Sequence, residues 1–111
     1  MPTLLVRATV VTPTKVENRD GHAVGQLHAF VIDQASGVSR FAVLSLGGFL
    51  GMNRSFYPVP FSLLQFDPVR GVHVVALDRK LLEGGPSWAN TPPEFDDGYA
   101  ARVASYYGAS A

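Results

Sequence analysis

Three histidines, a short acidic cluster and a glycine-rich segment are the places where this chain's side chains could do chemistry. His22, His28 and His73 would make a metal site or a general base only if the fold gathered them. They have no i, i+4 spacing on a helix, and the chain has no cysteine to complete a tetrahedral ligand set. A Ser–His pair would also need an orienting carboxylate and an oxyanion pocket, which no local spacing supplies. Glu94, Asp96 and Asp97 carry the oxygen ligands a hard cation takes. Carboxylates just ahead of a helix, however, complement its dipole and cap its free amides, so these read as capping residues. Gly47, Gly48 and Gly51 suggest a phosphate-cradling loop, but the Lys-Ser/Thr pair that would grip phosphate and metal does not follow them. That segment reads as a turn whose apolar tip, Phe49 and Leu50, needs cover from the chain itself or from a partner. The expectation is a protein that is not an enzyme, with no catalytic residue, no metal and no cofactor.

The elements that must position these residues are mostly short strands. Valine is the commonest residue, aromatics reach 11%, and eleven Gly and eight Pro punctuate the chain. Asn18-Arg19-Asp20-Gly21 is a turn leading into a strand over 24–33, and Asp33-Gln34-Ala35-Ser36-Gly37 is a second turn before a strand over 38–46. With a four-residue loop over 34–37, Leu27 falls opposite Leu44 and Ala29 opposite Ala42 on one face. Phe30 then meets Phe41 on the other face, with Val43 and His28 beside them. Both faces are apolar, and a barrel strand needs only its inner face to be so. The Phe30, Phe41 and Val43 face therefore requires cover from a helix or a second subunit.

Residues 56–66 are extended but contain Pro58 and Pro60, which belong at an edge, bulge or corner because proline donates no ladder hydrogen bond. Residues 66–71 form a hairpin turn into a strand over 72–77. Asp78 caps a single helical turn over 79–83, stopped by Gly84-Gly85-Pro86. A proline-containing linker over 88–95 precedes a helix capped by Asp96 or Asp97, which reaches Tyr107 and ends at Gly108. On that helix Tyr99, Val103 and Tyr106 fall at i, i+4 and i+7, with Ala100, Ala104 and Tyr107 alongside. A helix of this length must dock on the barrel or on a neighbouring chain.

A chain of 111 residues has room for one domain. Its 47% hydrophobic and 16% charged residues are more apolar than the roughly 25% charged norm, which points to burial against another chain. Nine basic residues balance nine acidic ones and do not cluster, so no net field favours nucleic acid or an anionic membrane. The Leu4-Leu5-Val6 run is too short for a signal peptide, and nothing approaches the ~20 apolar residues of a membrane helix. Lack of cysteine fits a reducing compartment, so a cytoplasmic location without membrane insertion is expected.

Ser45-Leu46-Gly47-Gly48-Phe49-Leu50-Gly51 followed by Tyr57-Pro58-Val59-Pro60-Phe61 resembles the PRC-barrel family. The opening hairpin from Val16 to Gly25, the second around Val31-Ile32-Asp33 and Gly37-Val38, the closing turn from Leu81 to Pro86 and the Tyr106-Tyr107-Gly108 tail are similar to the family in the same order. Pro13 stands where glycine is expected and Phe61 where tryptophan is common. The resemblance implies an all-β fold, a small PRC-type β-barrel of about six strands with a short C-terminal α-helix. Residues 1–88 would be the barrel, and 89–111 a linker and a helix packing on the barrel or on a partner chain. It also implies a non-catalytic adaptor of the free-standing type, with a homodimer as the leading expectation. An accessory subunit of a photosynthetic reaction-centre-like or ribosome-maturation-like assembly is the alternative, and a small enzyme a distant third. The candidate interface residues are Phe30, Phe41, Val43, Phe49, Leu50, Tyr99, Val103, Tyr106 and Tyr107.

Overall fold

Asn or Asp opens three of the turns in this molecule and a left-handed glycine closes each of them. The computed structural model describes residues 5–47 and 54–108. Asn18 Oδ1 accepts from the amides of Asp20 and His22, Asp33 Oδ1 from that of Ala35, and Asp67 Oδ1 from those of Val69 and Arg70. Gly21, Gly37 and Gly71 take φ of 85°, 76° and 67°, a region that costs a residue with a Cβ. These turns link β1 (Leu5–Glu17) to β2 (Ala23–Asp33), β2 to β3 (Ser39–Leu46), and β5 (Leu64–Asp67) to β6 (Val72–Val75). The remaining strand, β4 (Ser55–Pro60), runs into a 3-10 turn at Phe61–Leu63, which breaks the segment expected to be continuously extended over 56–66.

The strands form one sheet in the order β4-β3-β2-β1-β6-β5. Neighbours are antiparallel except β1 and β6, which pair in parallel through Val16 with His73 and Glu17 with Val74. The sheet curls into a half-barrel. β4 lies at its edge, so Pro58 and Pro60 leave no inner ladder donor missing. Pro13 falls within the irregularity of β1 between Thr9 and Thr14, where pairing with β2 lapses and the strand can bend.

The β2–β3 register corrects the expected pairing. Leu27 faces Leu44 and, next to the turn, Ile32 faces Ser39, both as a four-residue loop dictates. Between them Ala29 pairs with Val43, Phe30 with Ala42 and Val31 with Phe41. One bulge lets His28 in as an extra residue on β2, and a second returns the register through Arg40 on β3. Because side chains alternate with period two, a one-residue slip reverses every face it touches. Phe30 and Phe41 are therefore not partners and lie on opposite sides of the sheet, and His28 does not share a face with Phe30.

Two cores result. Val16, Leu27, Ala42, Leu44, Val59, Leu64 and Val75 pack inside the curl with Leu82, which α1 (Arg79–Glu83) supplies as a plug. On the outer side Leu5, Ala29, Val31, Phe41 and Val43 pack against Tyr99, Ala100 and Val103 of α2 (Asp97–Tyr107). Asp78 and Asp96 cap the two helices through the amides of Leu81 and Tyr99, each at 2.8 Å, and Gly108 ends α2 in the left-handed conformation. No helix among the described residues is long and apolar enough to cross a membrane.

Candidate binding surfaces

α2 covers the outer apolar face. Phe41 and Val43 are buried beneath it, in one cluster with Tyr99, Ala100 and Val103 of the helix. Rings extend this contact from Tyr99 to Phe95 at 5.8 Å, from Phe95 to Trp88 at 5.7 Å and from Trp88 to Phe56 at 5.8 Å. Trp88 also exchanges two backbone hydrogen bonds with Phe56, of 2.8 and 3.0 Å, which ties the linker to β4. Burial pushes the Tyr99 hydroxyl up to about 12, against the opposing pull of Arg102 over its ring. Tyr107 is half-buried between the two cores, and burial raises its hydroxyl as well. Tyr106 remains exposed, and its hydroxyl donates to the Leu81 carbonyl at 2.7 Å. Its ring lies over Gly85, where a Cβ would sit only 2.6 Å from Cε2.

Phe30 lies instead on the inner side, against Phe61 at a centroid distance of 5.9 Å. Val6, which pairs with Ile32, shares that side, as does Phe66, which pairs with His73 opposite Val16. Val6, Phe61 and Phe66 are 42%, 42% and 55% exposed. Phe49 and Leu50 lie outside the described residues.

The histidines are spread over the molecule. His22 is in a turn, His28 lies against Phe56 on the outer side, and His73 contacts Phe66 on the inner side. Burial lowers both strand histidines, and Arg7 and Arg54 lower His28 further. Of the acidic cluster, Asp96 is the cap of α2, and Asp97 is 4.0 Å from Arg40.

Sequence reasoning passed over a charged group and a polar recess. Glu17, at the parallel junction of β1 and β6, is buried, with Arg70 at 2.7 Å and Lys15 at 3.1 Å. Hydrogen bonds from Arg70 and then Lys15 hold its carboxyl below the ordinary value of 4.5, outweighing the desolvation that would raise it. The only local signal was the i, i+2 spacing of Lys15 and Glu17 on one strand face, and nothing local points to Arg70, some fifty residues later. Beside this group, Lys15, Gln26 and Ser45 form a row across β1, β2 and β3. With Gly25, Gly47 and Arg54 they line a recess of about 560 Å³. Gly25 is needed for close approach here, since a Cβ would come within 2.5 Å of the Ser45 carbonyl, and its φ is 143°.

No curated protein matches this chain. The PRC-barrel domain profile matches residues 8–82, the span from β1 into α1 that builds the curled sheet and its plug, and the chain belongs to the PRC-barrel family.

Proposed function

We propose that the protein is a non-catalytic binding and assembly module that works as a homodimer in the cytoplasm. Membership of the PRC-barrel family supports a small binding module. The observation that carries the dimer is the inner apolar side, where Phe61 lies against the half-buried Phe30 and Val6, Phe61 and Phe66 all stay exposed. Exposed apolar side chains on one side of a sheet favour burial against a partner. A second copy can supply it through a two-fold contact in which the same patch meets itself. The outer face, which first suggested association, is already covered by α2. Absence of cysteine fits the reducing cytoplasm. The scattered histidines and the doubly paired Glu17 support a binding role over proton transfer.

Sedimentation analysis at micromolar concentration tests this reading. The wild type is expected to sediment as a dimer, and Phe61→Asp as a monomer that keeps the wild-type circular dichroism. A monomeric wild type would overturn the proposal. Recovery from the native cell with other proteins but never with a second copy would favour the accessory-subunit alternative.

A further inference from the structure

The outer side of the sheet is divided. From Ala29 and Val43 onward α2 covers it, whereas the row of Lys15, Gln26 and Ser45 is polar, with Lys15 and Gln26 exposed and Ser45 buried. We propose that the recess above this row binds the phosphate group of a small phosphorylated molecule, with Lys15 and Arg54 supplying charge and Gln26 and Ser45 neutral hydrogen-bond donors.

Four features support this assignment. First, the local charge is positive although the chain as a whole is neutral: Glu17 is the carboxylate of the neighbourhood, and Arg70 and Lys15 already neutralise it. Second, the Lys15 ammonium uses one of its three donors on Glu17 and keeps two for a ligand. Arg54, exposed at the rim, brings a guanidinium fork suited to phosphate oxygens. Third, Arg7 and Arg54 both oppose protonation of His28, so the positive field continues along the same side of the sheet. Fourth, a volume of about 560 Å³ lies within the usual range for small-molecule sites and exceeds what one inorganic phosphate fills. Gly25 at the wall of this recess lets β2 approach the Ser45 carbonyl, where a Cβ would stand 2.5 Å from that oxygen.

The test is a titration followed by backbone amide shifts, at low salt, with inorganic phosphate and with ribose 5-phosphate as probes. Trp88 emission is a second readout, since Trp88 stacks on Phe56, the cross-strand neighbour of Ser45. Both probes are expected to move the amides of Gln26, Ser45 and Gly47, with the ester binding more tightly. Arg54→Gln and Gln26→Glu should each weaken the ester about tenfold or more without lowering the melting temperature, since both side chains are exposed. Equal affinity for the two probes would keep the oxyanion site but overturn the phosphorylated molecule as its ligand. The whole proposal is overturned if millimolar probe leaves those amides unmoved, or if both folded variants bind as the wild type does. Neither result bears on the oligomeric state, so this proposal and the dimer fail separately.

Discussion

Glu17 is the residue on which the charged part of the structure turns. Only two residue pairs join the β5–β6 hairpin to β1 in the parallel ladder, and the Arg70 contact to Glu17 ties the tip of that hairpin to the same strand. Its carboxyl is lowered in the folded state, so its contribution to stability is present above the ordinary value of 4.5. That contribution is lost as pH falls from there through the folded value. Glu17→Gln is expected to melt at a lower temperature at pH 7, because Lys15 and Arg70 lose their anion. It should also show a shallower decline as pH falls below 4.5. Thermal melts across that range decide the point, and an acid limb as steep as the wild type's would show that other carboxylates govern it.

At the scale of elements, the two bulges of the β2–β3 hairpin decide which residues lie under α2. They place Ala29 and Val31 beside Phe41 and Val43 on the outer side and send Phe30 inward. A long aromatic side chain at the centre of a helix–sheet contact leaves a large cavity when truncated. Phe41→Ala should therefore cost about 3–5 kcal/mol in denaturant unfolding. Asp96→Ala, which removes the cap of the same helix, should cost about 1 kcal/mol. A Phe41→Ala loss below that of Asp96→Ala would mean that α2 does not bury this ring in solution. The helix was expected with its terminator Gly108 and with its cap narrowed to Asp96 or Asp97, because both signals are local. Which face it covers depended on a slip in register that leaves no trace in the alternation of apolar residues.

Over the whole molecule, acid should act in two stages. His28 and His73 lie on opposite sides of the sheet, and burial lowers both. The folded state thus favours their neutral forms, and the stability they contribute is complete above the ordinary value of 6.5. It is lost as pH falls below 6.5 through the folded values, ahead of the Glu17 stage. Urea midpoints of the wild type should decline as pH falls below 6.5, and the paired substitution His28→Gln with His73→Gln should flatten that decline. An unchanged slope would exclude these imidazoles as its source.

What was legible in the chain was local. The Asx-glycine turns, both helix caps, the proline-bearing edge strand and the motif order of the family all depend on residues within a few positions of one another, where side chain and backbone choose conformation directly. The hairpin register was legible at its two ends for the same reason. The three-dimensional fold was needed for the middle of that hairpin, for the union of Glu17 with Arg70, and for the recess that draws Lys15, Gln26, Ser45 and Arg54 from four different segments. Those features arise where strands distant in the chain become neighbours, and no short-range spacing encodes which bulge, which loop tip or which strand end will meet there.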